Sequence, residues 1–351
     1  MTLRSAIVAG ICVAAWATSG SLPALAADLT VAVPDNRVGA VVNAAIVQAF
    51  AKASGLAVAV ATTDGTLAAA RAAHADAMLT GTAALADGCK DGAFAKLDWK
   101  ALGGRDRFPP FAASDCGEGA ALHSLVLAWN RDKFAAVPTW TEFWDVAKVP
   151  GKRGLRHGAR TNLEIALLAD GVAPADVYTT LRTDAGVERA FRKLDQLKPY
   201  LVWWKQDADA AHMLASGDVL MTSAPAAEII AAQRSAAPTQ HLDFAIQWAA
   251  NLTSIESWAI LANPAGANAP GTVAAARLLA FAADPKEQRT LPQSGGIGGA
   301  STGANDGLPP DQSSQSPSAP ANLAKALIVD DQFWRDNGAK LDKLYEAWLA
   351  K

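Results

Sequence analysis

Apolar runs and amphipathic stretches alternate along the first part of the chain. The apolar runs at 29–33, 56–62 and 76–81 predict strands, and the stretches 38–54 and 65–75 predict the helices between them. Strands that alternate with helices of this length favour a parallel sheet covered on both faces. The pattern therefore predicts an α/β fold.

A second α/β series follows a longer strand predicted at 122–130. Trp140, Phe143 and Trp144 lie at helical spacing behind Thr139, which predicts a helix with Thr139 as its N-cap. The remaining elements predicted up to residue 283 are helices at 162–169, 183–197, 205–216, 225–235 and 272–283, and strands at 201–204, 218–224, 244–249 and 257–261.

The late strands set the expected domain organisation, because they would rejoin the first sheet. We expect two lobes joined by more than one crossing strand. Such lobes can close on a ligand by a hinge motion. Lobe 1 is predicted at 27–130 plus about 250–300, and lobe 2 at 131–249. In open α/β sheets a ligand lies beyond the carboxyl ends of the strands. Of the residues found there, we single out Asp35, Arg37, Asp64, Thr82 and Ser223.

Beyond residue 291 the composition changes. Gly, Ser, Pro, Asn and Gln dominate 292–320, which predicts a flexible surface loop, since its Gly-rich stretch lacks the Lys-Ser/Thr ending of a phosphate-binding loop. C-terminal helices within 321–351 are expected to pack across both lobes. The residues expected to pack are Leu327, Phe333, Trp334, Leu341, Leu344, Tyr345 and Trp348.

The first 26 residues predict a secretory signal peptide. Arg4 precedes an apolar run at 6–16, and small residues lead to a cleavage site near Ala26 and Ala27. A membrane anchor is the alternative, but the run is too short to span a bilayer comfortably. We therefore expect an exported protein located in the periplasm.

Charge and cysteine content limit the functions that this protein can have. The formal net charge of −3 and the lack of a dense basic block argue against nucleic acid as a partner. Cys89 and Cys116 form an even pair in an exported chain, which favours a disulfide, and the alternative is Cys116 as a nucleophile with His123 as its base.

Spacings typical of zinc ligands or of a G-x-S-x-G elbow are absent from the sequence, so we expect no metal, cofactor or catalytic residue.

The stretch SIESWAIL contains the candidate binding pair Glu256 and Trp258. Residues two apart in a strand point to the same side, so the Glu256 carboxylate and the Trp258 indole would share one pocket wall. A carboxylate beside an indole face suits the binding of a cation. The alternative is an ordinary strand in which Trp258 is core and Glu256 is solvated.

Longer segments carry a family resemblance. The stretches at 150–172, 189–199, 203–224 and 333–349 resemble the spermidine/putrescine-type periplasmic solute-binding proteins of ABC importers. The resemblance implies the two-lobed binding-protein fold (type II) and a cysteine pairing of Cys89 with Cys116. It also implies a site in which carboxylates hold ammonium groups beside aromatic rings, placed here at Glu256 and Trp258.

The functional expectation follows from this resemblance. A monomer captures a small amine-bearing, polyamine-like solute and delivers it to an ABC permease in the inner membrane, with Asp35, Asp64 and Glu256 neutralising the ammonium groups. Departures from the family pattern, such as Pro225 to Glu228 after MTSA, leave a second ligand class open. That class is a small anion or zwitterion held by Arg37 or Arg160 and by the helix start at Asn162. An exported enzyme on the same fold is the remaining alternative.

Overall fold

The computed structural model describes residues 27–235, 243–263 and 265–351, so the expected signal peptide at 1–26 lies outside the described residues. The strands are β1 (Leu29–Pro34), β2 (Val58–Thr63), β3 (Ala77–Gly81), β4 (Gly117–Asn130), β5 (Arg153–Arg156), β6 (Leu201–Trp204), β7 (Met221–Pro225), β8 (Phe244–Ile260), β9 (Ile297–Gly299) and β10 (Leu327–Ile328).

The helices alternate with these strands, and α1 continues into α2 through a π-helical stretch at Asn43–Val47. They are α1 (Arg37–Val42), α2 (Gln48–Ser54), α3 (Leu67–Ala72), α4 (Thr82–Lys90), α5 (Trp140–Trp144), α6 (Asn162–Ala169), α7 (Val177–Leu181), α8 (Asp184–Leu197), α9 (Asp207–Ser216), α10 (Ala226–Ser235), α11 (Pro270–Ala282), α12 (Pro285–Gln288), α13 (Pro310–Ser314), α14 (Pro320–Leu323) and α15 (Asp331–Leu349). Among the helices of the described ranges, none is long and apolar enough to cross a membrane.

One mixed sheet runs through the molecule in the order β2-β1-β3-β8-β4-β7-β5-β6. The strands β1, β2 and β3 pair in parallel at one end, and β5, β6 and β7 pair in parallel at the other. The long antiparallel strands β4 and β8 join the two ends, and their register shifts between Gly119 and Ala121 and between Leu125 and Leu127. The protein is thus an α/β fold of two lobes joined by crossing strands.

Each lobe has its own apolar core. The first-lobe core contains Val31, Leu79 and Trp258, all at most 1% exposed, packed against α1 and α11. The second-lobe core contains α5, α6, α8 and α15. Thr139 caps α5 in a capping box with Glu142, as predicted.

Two of the predicted elements differ from those observed. The strands predicted at 244–249 and 257–261 are parts of β8, which bends at Ala250, where φ is +53°, and continues through the polar stretch at 251–254. The lobe boundaries at 130 and 249 stay a prediction, because β4 and β8 both run through the junction.

The segment predicted as a flexible surface loop, 292–320, is packed. It contains β9, which pairs with β4, and the side chains of Ile297, Ala304 and Ser316 are fully buried. Glycines let the chain lie close against its neighbours here, since a Cβ at Gly299 would fall 2.6 Å from that of Ala304. Part of its Gly and Ser content therefore reflects close packing, while residues such as Gly307 and Ser314 are exposed.

Cys89 and Cys116 form a disulfide that joins α4 to the start of β4. This confirms the expected pairing and makes the alternative of Cys116 as a free nucleophile wrong. The bond therefore ties the C-terminal turn of α4 to a crossing strand.

The C-terminal helix α15 contacts both lobes. Phe333, Trp334 and Tyr345 are buried in the second-lobe core, while Arg335 forms an ion pair with Asp87 on α4 of the first lobe. Leu344, expected to pack, is 42% exposed.

Glu118 is a buried acid in β4 beside Trp258 of β8. Both carboxyl oxygens are buried without a hydrogen-bond partner among the described residues, and burial raises the pKa of this carboxyl well above its usual value, partly opposed by Arg107. A carboxyl whose pKa is raised by folding contributes its full stability below the unfolded pKa and loses it as the pH rises towards the folded pKa.

We therefore expect Glu118→Gln to stabilise the fold increasingly with pH. The gain in unfolding free energy over the wild type should grow by about 1 kcal/mol between pH 5 and pH 6, because the amide has no proton to lose. Urea unfolding at several pH values measures it. Glu142→Gln is the control, because hydrogen bonds from Thr139 lower the pKa of Glu142, so its effect should have the opposite sign. Parallel curves for wild type and Glu118→Gln would contradict the expectation.

Candidate ligand-binding cleft

Two adjoining cavities of about 370 and 420 Å³ lie between the lobes. His123, Ser254 and Arg160 line both, so the cavities form one continuous cleft. The crossing strands β4 and β8 carry His123 and Ser254 and form its floor.

The loop after β1 forms the mouth of the first cavity. The Asn36 side chain accepts a hydrogen bond from Gly39 N and so caps α1, which places Arg37 at the cleft. The Arg37 guanidinium donates to both carboxylate oxygens of Glu228 on α10, at 2.6 and 2.8 Å. This bidentate pair connects the two lobes, and Asp35 lies beside it on the outer rim. In this conformation the Arg37 guanidinium is therefore already paired with Glu228.

The end of β5 and the loop that leads to α6 supply two further arginines, Arg156 and Arg160. Asn162 is fully buried, and its Nδ2 donates to the backbone oxygens of Arg156 and Gly158. Asn162 thus holds the loop instead of facing the cleft. At the start of α6, the Thr161 hydroxyl oxygen is buried without a partner among the described residues, and the φ of Thr161 is +72°.

Arg156 differs from the other arginines of the cleft in its surroundings. Its guanidinium carbon lies 5.9 Å from the centre of the Trp204 ring, and no carboxylate of the described residues lies within ion-pair distance. Arg160, by contrast, pairs with Asp331 of α15. Arg156 is therefore the cation of the cleft that is open to an anionic group.

Glu256 lines the second cavity. Its carboxylate Oε1 lies 3.7 Å from His123 Nε2, and its side chain is 17% exposed. Asp331, at the opposite wall, accepts a hydrogen bond from the backbone N–H of Thr82 at 3.2 Å. Thr82, at the start of α4, therefore contacts a residue of the cavity wall but does not line the cavity itself, whereas its neighbours Gly81 and Ala83 do.

Three further predicted site residues lie away from the cleft. Trp258 is fully buried in the first-lobe core, because the strand carries it inward from Glu256. Ser223 is fully buried in β7, and the chain reaches the cavity two residues later, at Pro225. Asp64 is exposed beyond the edge strand β2, where hydrogen bonds from Thr66 lower the pKa of its carboxyl.

Other residues of the cleft were not predicted from the sequence. They are Arg156, Thr161, Trp204, Asp207, Glu228 and Asp331. Arg156 is the last residue of β5 and Asp207 lies shortly after β6, so the rule on the carboxyl ends of strands would have found them. Among the described residues, no cluster of acidic, histidine or cysteine side chains suits a metal ion.

This arrangement suits binding of a molecule that carries both charges. Arg156 offers a guanidinium to an anionic group, while Glu256 and Asp207 offer carboxylates to a cationic one. Hinge closure, fixed by contacts such as the one between Arg37 and Glu228, would remove the bound molecule from water.

Known proteins resemble this chain over most of its length. A family model described as bacterial extracellular solute-binding protein matches residues 45–321. The chain is 40% identical over 265 residues to a gamma-aminobutyric acid-binding protein of Pseudomonas aeruginosa, and the match covers 75% of this chain and 72% of that protein.

Solved structures share the fold. An ABC transporter substrate-binding protein from Bradyrhizobium japonicum USDA 110 superposes with a TM-score of 0.78 at 28% identity, over 91% of this chain and 98% of that one. MotA from A. tumefaciens B6, solved in complex with glucopine, superposes with a TM-score of 0.75 at 26% identity, over 92% of this chain and 99% of that one. The likeness spans both lobes and therefore the whole cleft.

Proposed function

Because this chain belongs to the bacterial extracellular solute-binding proteins, the binding components of ABC importers, we propose that its ligand is a small zwitterion. The proposed class is an amino acid whose ammonium group is separated from its carboxylate by a short carbon chain, such as γ-aminobutyrate. The chain is a binding protein and not an enzyme.

The observation that carries this proposal is the presence of two opposite charges without ionic partners of their own in one cleft. Arg156 faces the first cavity with no carboxylate of the described chain within ion-pair distance, and Glu256 faces the second with a histidine as its one ion-pair neighbour among the described residues. A ligand carboxylate at Arg156 and a ligand ammonium at Glu256 would each gain a charge-assisted hydrogen bond. The relative that binds γ-aminobutyric acid supports the same class.

The cleft is less suited to the polyamine-like solute that the sequence resemblance implies. A diamine carries a positive charge at each end, and one end would meet Arg156 or Arg160. Trp258, which was to stack on the methylene chain, is buried in the core. We therefore favour the zwitterionic alternative, with its anionic end at Arg156 instead of Arg37.

The transport role places the protein upstream of a membrane permease. We propose that it acts as a monomer in the periplasm, where it closes on its ligand and presents the closed form to the permease. Closure needs no chemistry, since the ligand shifts the lobe equilibrium only through its contacts in the closed form.

Calorimetric titration of protein freed of co-purified ligand tests the proposal. We expect binding of γ-aminobutyrate, weaker binding of butyrate, which lacks the ammonium group, and no measurable binding of putrescine. Tight putrescine binding without γ-aminobutyrate binding would restore the polyamine hypothesis.

Glu256→Gln should raise the dissociation constant for γ-aminobutyrate about tenfold, because the amide keeps a hydrogen-bond acceptor but loses the negative charge. Glu188→Gln, on the exposed face of α8, is the control and should bind as the wild type does. An unchanged titration for Glu256→Gln would remove Glu256 from the ligand site.

A further inference from the structure

His123 lies between the two halves of the cleft. It belongs to the crossing strand β4, lines both cavities, and has its Nε2 3.7 Å from Glu256 Oε1. Nε2 is buried and makes no hydrogen bond to the described residues. The imidazole therefore points at the carboxylate that we assign to the ligand ammonium, without being bonded to it.

The chemistry of this pair depends on pH. Histidine side chains ordinarily gain or lose a proton between about pH 5 and pH 8. A protonated imidazole would pair with Glu256 and occupy the position that a ligand ammonium needs. A neutral imidazole leaves the carboxylate free.

The other charged groups that face this pair do not change charge in the same way. Carboxylates and guanidinium groups ordinarily titrate outside this range, and His123 is the only histidine among the described residues that line the two cavities. The charged groups around it are Arg37 of α1, Arg156 of β5, Arg160 before α6, Asp207 of α9, Glu228 of α10, and Asp331, Arg335 and Asp342 of α15.

We infer that His123 is a specificity-determining residue that makes ligand capture sensitive to pH, because its proton and the ligand ammonium compete for Glu256. The inference rests on the proposed function, since it requires an ammonium-bearing ligand at Glu256. By linkage, binding at intermediate pH releases a proton to solvent, and acid weakens binding. A ligand without an ammonium group would not show this competition.

Calorimetric titration of the full-length protein with γ-aminobutyrate at pH 5, 6, 7 and 8 tests it. Both ligand charges persist over this range, so a change in affinity comes from the protein. For the wild type we expect a dissociation constant about tenfold higher at pH 5 than at pH 8, and proton release at pH 6 when buffers of different ionisation enthalpy are compared. His123→Asn, whatever its affinity at pH 8, should show a flat pH profile with no proton release.

The outcomes separate the inference from the proposed function. A flat wild-type profile without proton release would overturn the inference even if γ-aminobutyrate binds well, as would an unchanged slope in His123→Asn. No binding at pH 8 would remove the proposed ligand and this inference with it. If His123→Asn fails to fold, the wild-type proton count in the two buffers still decides the matter.

Discussion

Arg153→Met is expected to lower the free energy of unfolding by about 4 kcal/mol. Arg153 is fully buried at the start of β5, and its guanidinium donates to three backbone oxygens, those of Phe143, Val149 and Gly151, at 2.6 to 2.8 Å. These bonds fold the segment after α5 against the sheet. Methionine fills a similar volume but leaves the three carbonyl groups without a donor.

The charge itself remains in spite of burial. Burial lowers the pKa of Arg153 to about 10, with Asp145 opposing this, so the guanidinium stays protonated at neutral pH. Arg153→Lys should lose less stability than methionine, because an ammonium keeps the charge but cannot reach all three acceptors in a planar fork.

Urea unfolding followed by tryptophan fluorescence measures both variants. Arg192→Met on the exposed face of α8, where the ion pair with Glu188 is solvated, is the matched control and should change stability by less than about 0.5 kcal/mol. A loss of similar size in Arg153→Met and Arg192→Met would show that the buried bonds do not fix this segment.

The secondary structure was largely predictable because local patterns determine it. The helix predicted at 162–169 and the strand at 201–204 have the observed bounds, since each is an apolar run ended by a clear stop. The partial burial of 292–320 was not predictable, because residues such as Ser301 and Ser316 are buried through tertiary contacts that no local pattern encodes.

The candidate site was only partly predictable for a related reason. The rule that ligands lie beyond the carboxyl ends of strands correctly pointed to Arg37 and to the start of α4. It also pointed to Asp64, because the order of the strands in the sheet cannot be read from the sequence and β2 is an edge strand. Alternation along β8 predicts that Glu256 and Trp258 share one pocket wall. It could not show that Glu256 lines the cleft while Trp258, two residues later, is buried in the first-lobe core.

Arg156→Gln is expected to raise the dissociation constant for γ-aminobutyrate about a hundredfold, which corresponds to about 2.7 kcal/mol. The guanidinium is fixed for a ligand carboxylate, because Asn162 holds its backbone from below and the Trp204 ring lies beside it. No carboxylate of the described chain forms an ion pair with it, so a ligand carboxylate would be its main ionic partner. Glutamine keeps hydrogen-bond donors but removes the charge and the two-pronged geometry.

Calorimetric titration distinguishes this role from a general effect on the fold. Arg156→Lys keeps the charge without the planar fork and should lose about tenfold. Arg131→Gln removes an exposed arginine that pairs with Asp243 outside the cleft, and it should bind as the wild type does. If Arg156→Gln binds within threefold of the wild type, the ligand carboxylate lies elsewhere. Arg160, whose partner Asp331 would have to release it, is then the residue to test, because the cleft offers no other cation near the start of α6 among the described residues.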